Sequence, residues 1–432
     1  MHVTRLLIER LRTIERCEID FCVPPLKTQV GSSQAGDGPL PNVTLLLGTN
    51  GAGKTTVLRA IAMTALAPLL PQSSGYVPRS MVRRTGRKAA RSARVTATLR
   101  FSPQDGQKGA VESRLTLRSV PGGYQDKFEV SPEPPWAKRM WIESSPAFFI
   151  VGYGASRRVD SGGAFGFQRQ EKERNLRYLR VAGLFEESVV LRPLSSWLPN
   201  WENPGRRKQL VTMLNQILPE VELVDEPVDG EYLFRVGGSE LPFDALSDGY
   251  RAFIGWVVDL LYHVSRGAPR GQMLFETSGI VLVDEVDLHL HPAWQRTVIP
   301  RLARTMPNVQ FVFTSHSPLV VGTLHRENVR VVRAHHGGAQ IEPPSIEVHG
   351  LSADQILTSE YFGLESTREP RFAARMSKVA GEARRGDAGQ AQQFLRMLTL
   401  GAGAEVARGS TDSAPPARRK RARKTSRPER AR

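Results

Sequence analysis

The run Gly48-Thr-Asn-Gly-Ala-Gly-Lys-Thr55 has the spacing G-x-x-x-x-G-K-T, which suits a cradle for a polyphosphate. Gly48, Gly51 and Gly53 let the backbone wrap closely round an anion, with N–H groups pointing at it. Lys54 is placed to reach the β- and γ-phosphates, and Thr55 to put its hydroxyl on Mg²⁺. Asn50, Ala52 and Thr56 complete the candidate ATP-binding stretch. Far downstream, the apolar run 280–283 delivers two carboxylates: Asp284 to hold Mg²⁺ directly or through water, and Glu285 to orient or deprotonate a water. His316 leaves a second apolar run, 308–315, where it can contact a γ-phosphate or the attacking water. Ser247 and Gly249 open a helical stretch whose Ser-x-Gly start is a second phosphate receptor. Lys54, Glu285 and His316 are thus the candidate catalytic groups, and Thr55 and Asp284 the candidate metal ligands.

Such groups work only if strands and helices hold them. VTLLLG before the glycine loop reads as a buried strand, and TVLRAIAMTALAPLL after it as a helix. Ser247 is placed to cap the helix RAFIGWVVDLLYHV, with Asp248 complementing its dipole. His289 and His291 shape the turn after the acidic strand, since their spacing is not that of a zinc site. The opening VTRLLIERL and IERCEIDFCV read as strands, as do patches between 91 and 150. The strand PAFFIVGY runs into a loop with Arg157 and Arg158, either of which can meet a phosphate or hold a carboxylate. Residues 207–221 form an amphipathic helix that leads into a hairpin-like pair of strands, and residues 365–400 read as helices. Trp197 and Trp201 are assigned to the core.

The chain has 432 residues, 24% charged and 40% hydrophobic, enough for a sizeable core and unlike a disordered or disulfide-stapled chain. Its net charge of +16 is concentrated in 80–100 and 418–432, the rest being nearly neutral. Either segment offers phosphates of a nucleic acid a salt-sensitive contact. The two cysteines, Cys17 and Cys22, are expected to be reduced thiols. No apolar run is long enough for a membrane span, so the expectation is a cytoplasmic protein without membrane attachment.

In order, the glycine loop, LSDGY at 246–250, Asp284-Glu285, DLHLHP at 287–292 and His316 resemble the ABC-type P-loop ATPases, in particular the RecF/SMC-like and OLD-like branch. LSDGY looks like the signature usually written LSGGQ, with Asp248 and Tyr250 departing from it. The usual Q-loop glutamine has no counterpart at GYGASRR; Gln168 and Gln170 are loose alternatives. VGYGASRR and LSADQILTSEYFGL look like ATPase subunits of the Septu and retron-associated antiphage systems.

The resemblance implies an α/β P-loop NTPase with an ABC-type ATPase core, N-terminal antiparallel β elements, an inserted lid region and a small helical C-terminal extension. The expected divisions are 1–150 for the first half of the core, 151–240 for the lid, 241–340 for the second half, 341–401 for a helical cap and 402–432 for a disordered tail. It implies that ATP is sandwiched between Lys54 of one subunit and Ser247 of another, in a homodimer or higher oligomer that controls a separate effector such as a nuclease. Two other readings stay open, a DNA-repair or recombination ATPase that binds duplex DNA and a peripheral transport ATPase.

Overall fold

Strands Val43–Gly48, Ile150–Tyr153, Gly279–Val283 and Val309–Ser315 are buried at nearly every residue, as strands covered on both faces must be. With Val329–His335 they form the parallel part of a six-stranded sheet, and Gly338–Glu342 adds an antiparallel edge. The spatial order is 338–342, 329–335, 43–48, 309–315, 279–283, 150–153. The computed structural model describes residues 1–400 apart from 26–37, 87, 130–131, 144, 160–173, 199–203, 225–226, 229–230, 270 and 336–337.

That order brings three strand ends to one edge. The glycine loop leaves Gly48, His316 follows Ser315, and Asp284 follows Val283, on adjacent parallel strands with 309–315 in the middle. Carboxyl ends of parallel strands are where α/β folds collect ligand groups.

A five-stranded antiparallel sheet is built from His2–Leu11, Ile14–Asp20, Ser92–Arg100, Ala110–Ser119 and Asp126–Glu129. Helix Lys54–Ala65 packs against strands of both sheets, which is why 10 of its 12 residues are buried. A helix apolar on nearly all sides fits only such a sandwiched position.

Helices Pro204–Ile217, Asp248–Gly267 and Val298–Thr305 share another core cluster with the parallel sheet. Parts of the segment 151–240 join the core: Leu210, Leu214 and Ile217 cluster with Phe253 and Trp256, and Ile150–Tyr153 is a strand of the central sheet. Its hairpin-like pair is a three-stranded antiparallel sheet, Val221–Leu223, Leu233–Val236 and Ser239–Pro242. Trp197 is buried as expected; Trp201, Gln168 and Gln170 lie outside the described residues.

The chain divides into compact units Met1–Gly363 and Leu364–Arg432, so 341–363 belongs to the first unit rather than to a cap starting at 341. In the second unit, helices Pro370–Arg384 and Ala388–Leu400 form a small core of Met376, Val379 and Met397, with Phe372 and Phe394 packed on it. Residues 402–432 lie outside the described residues.

Part of the charge in 80–100 has partners within the fold. Arg83 pairs with Glu15 at 2.7 Å, Arg84 donates to the Gly123 carbonyl at 2.9 Å, Arg94 lies 3.8 Å from Glu9, and Arg100 donates to the Pro24 carbonyl. Cys17 is buried and Cys22 half-buried, both as free thiols. No described helix is long and apolar enough to cross a membrane.

Candidate active site

The glycine loop turns into its helix through Gly53, whose φ of 113° is a conformation that glycine tolerates best. No side chain caps this helix and no acidic residue occupies its first turn, so its leading N–H groups remain available to an anion. The other two glycines are set by different local constraints. Gly51 is exposed on the loop, and a Cβ there would meet nothing within 4 Å. Its φ of 77° calls for glycine at that turn. At Gly48 the constraint is a neighbouring strand, since a Cβ would lie 2.2 Å from the Val332 carbonyl oxygen. Asn50 is exposed on the loop, whereas Ala52 and Thr56 are buried.

Lys54 and Thr55 both meet partners from the other strand ends. Lys54 Nζ donates to the carbonyls of Gly48 at 2.8 Å and Thr49 at 3.1 Å, and lies 2.9 Å from His316 Nε2. Burial holds the Lys54 pKa below its usual value, opposed by the charges of Asp284, Glu285 and Asp287. His316 is also lowered, first by burial and then by Lys54. The lowering of His316 favours a neutral imidazole, whose Nε2 can accept from Lys54 Nζ.

Thr55 Oγ1 donates to Asp284 Oδ2 at 2.7 Å. A hydroxyl and a buried carboxylate side by side make a hard-oxygen pair, the donor chemistry that Mg²⁺ selects. The residues present therefore fit the ion.

The acidic turn is held from two sides. Thr314, level with Asp284 on the adjacent strand, donates through Oγ1 to Asp284 Oδ1 at 2.6 Å and accepts the Glu285 N–H at 2.7 Å. Arg157 Nη2 donates to the Asp284 carbonyl at 3.0 Å and also to the Glu285 carbonyl. Glu285 has φ 49°, a strained backbone for a non-glycine residue and one that such tethers can maintain. Arg157 thus holds two main-chain carbonyls through Nη2.

Thr314 was not singled out by sequence reasoning, although its place two residues before His316 was the available signal. Thr314→Val is expected to leave the Glu285 N–H and one Asp284 oxygen without this partner, at a cost of about 1–3 kcal/mol in stability. Urea unfolding measures the loss; an unchanged midpoint contradicts the tethering.

Ser247 occupies the N-cap of helix Asp248–Gly267 but makes no capping hydrogen bond, contrary to expectation. It is exposed, and Asp248 pairs instead with Arg251. A Cβ on Gly249 would meet the His289 carbonyl at 3.0 Å, so this helix start packs on the loop after the acidic strand. Neither Ser247 nor Gly249 hydrogen-bonds to the glycine loop, whereas Lys54, Thr55, Asp284 and His316 are joined by direct contacts. His289 has φ 64°, and His291 caps the short helix at Pro292 through Nδ1, both in keeping with a turn. Asp287 brings a further carboxylate into the field of Lys54 and His316, and its Oδ1 is buried with no hydrogen-bond partner.

Residues 43–322, more than half of the chain, match the family model described as "AAA domain, putative AbiEii toxin, Type IV TA system". The chain belongs to this family. The AAA domain is similar to the Septu protein PtuA of Bacillus mycoides (strain KBAB4), with 24% identity over 84% of this chain and 45% of that protein. It is also similar to the "Retron Vc95 probable ATPase" of Vibrio cholerae serotype O1 biovar El Tor, with 35% identity over 37% of this chain and 32% of that protein. The aligned stretches thus span less than half the length of either relative. Among solved structures, the SMC head domain from Thermotoga maritima is 15% identical, covers 80% of this chain and 100% of its own, and gives a TM-score of 0.44.

Proposed function

We propose that this AAA domain hydrolyses ATP with Mg²⁺ in a cytoplasmic antiphage defence system, and that the cycle closes and opens paired copies controlling a separate effector such as a nuclease. The observation that carries the ATPase reading is the convergence of Lys54, Thr55, Asp284 and His316 at three adjacent strand ends. Similarity to the Septu and retron proteins supports the defence role.

Thr55 and Asp284 would hold Mg²⁺, which supplies charge neutralisation for the phosphates. Lys54, released from the loop carbonyls, shares that task at the β- and γ-phosphates. Glu285 orients the attacking water and takes its proton, while neutral His316 accepts from Lys54 and fixes that end of the site. Exposed Ser247 and the helix start behind it receive the nucleotide held by another copy, a role that agrees with their lack of contact to their own glycine loop.

Co-purification from native cells, with ATPase assays on the recovered assembly, tests the reading. The expected result is an oligomer that carries a nuclease-type partner and hydrolyses ATP. ATPase activity that instead requires duplex DNA, and is lost when Lys88 and Arg91 are neutralised, selects the repair reading.

A further inference from the structure

A cavity of about 820 Å³ opens beside strand Ile150–Tyr153 and helix Asp248–Gly267. That volume suits a small ligand of nucleotide size. Five arginines line it, Arg157, Arg180, Arg192, Arg206 and Arg266, against two carboxylates.

Both carboxylates already have donors. Asp259 accepts from the Tyr153 hydroxyl at 2.8 Å and the Arg192 backbone N–H at 2.9 Å, and stands 3.4 Å from His263 Nε2. Glu143 accepts the Leu176 N–H at 3.0 Å. Arg180 lies over the Phe149 ring at 5.8 Å, and its side chain makes no hydrogen bond or ion pair with a described residue. Burial pushes its pKa down to about 10, opposed by the charge of Glu143, so it remains charged at neutral pH on the half-buried cavity wall. A half-buried guanidinium that no carboxylate pairs directly gains a charge-assisted partner when an anion enters the cavity.

Arg157 connects this cavity to the acidic turn. Its Nη2 holds the Asp284 and Glu285 carbonyls, while its Nη1 is buried and has no hydrogen-bond partner.

The geometry points to a second anion site in this cavity, for a phosphate-bearing small molecule that Arg180 binds and Arg157 reports to the acidic turn. Several guanidinium groups round one volume suit the multiple charge and oxygens of a phosphate better than a single carboxylate. Leu176, Leu179 and Leu191 offer apolar wall to the uncharged part of the ligand. Binding here is independent of the proposed ATPase cycle; only the link through Arg157 rests on that reading.

The test uses the full chain carrying Lys54→Ala, which disables the glycine loop, titrated calorimetrically with pyrophosphate and with AMP. Either probe is expected to bind, and to weaken at least about tenfold when Arg180→Gln is added, the loss of one charge-assisted contact. Ser156→Asp, which puts a carboxylate on the exposed cavity lining, is expected to weaken it similarly without disturbing the core. No binding of either probe, binding that survives both substitutions, or displacement of the probes by an acidic peptide that binds more tightly overturns the site. Hydrogen exchange at 284–290 is expected to slow on probe binding, and unchanged exchange overturns the link through Arg157. The Lys54→Ala background keeps failure here distinct from failure of the ATPase reading, which unmodified protein tests.

Discussion

Glu285→Gln protein is expected to bind ATP as the parent does while hydrolysing it at least about 100-fold more slowly, within the range for a positioned general base. The substitution keeps side-chain size and hydrogen bonding while removing the group that can take a proton. The main-chain tethers do not depend on that carboxylate: Thr314 accepts the Glu285 N–H at 2.7 Å, and Arg157 holds the carbonyl. Nucleotide therefore stays bound, and the proposed ATP-closed assembly accumulates. Single-turnover hydrolysis, equilibrium binding of labelled ATP and size-exclusion chromatography with ATP read the three parts. Binding lost together with turnover contradicts a purely catalytic role for Glu285.

Lys54→Ala should instead lose tight ATP binding. The ammonium is buried and contacts two loop carbonyls and His316 within 3.1 Å, so it is held where a phosphate chain would lie against the uncapped helix start. Truncating one partner of a buried charge pair costs about 2–5 kcal/mol, which corresponds to roughly 30- to several-thousand-fold in Kd. Equilibrium dialysis with ATP and Mg²⁺ measures it, with the unfolding midpoint as a control for intact fold. Affinity within a factor of about three of the parent, less than 1 kcal/mol, contradicts the assigned contact. The contrast with Glu285→Gln separates holding the nucleotide from cleaving it.

The parts of the site written in short, contiguous motifs were legible. A glycine loop between an apolar strand and a helix, and two acids at the end of a buried strand, carry their chemistry in residue type and spacing over a few positions. Thr314 and Arg157 were harder to see because their task is set by neighbours: one sits on the strand between the two motifs, and the other reaches main-chain carbonyls 127 and 128 positions away. Ser247 shows the converse. Its type and place suggest a cap, yet the hydroxyl makes no capping bond, because a helix start can leave its donors for other partners.

The segment 151–240 reads as a lid from sequence for a related reason. Pro-broken sequence and a short hairpin look peripheral when their neighbours are unknown, whereas Leu210, Leu214 and Ile217 find their apolar partners around helices Asp248–Gly267 and Val298–Thr305. Likewise, the arginines of 80–100 look like free positive charge until Glu15, Glu9 and main-chain carbonyls are placed beside them.

Local sequence by itself determined the glycine loop, the acidic strand end and the class of chemistry they suit, because phosphate binding by backbone amides needs only glycine, lysine and a helix start in succession. Tertiary structure alone decided that strand 309–315 lies between those two motifs, and with it which side chains hold Asp284 and Glu285 in place. The physical reason is that strand order is selected by burial and hydrogen bonding over the whole sheet, between segments more than two hundred residues apart, whereas residue spacing reports only on neighbours along the chain.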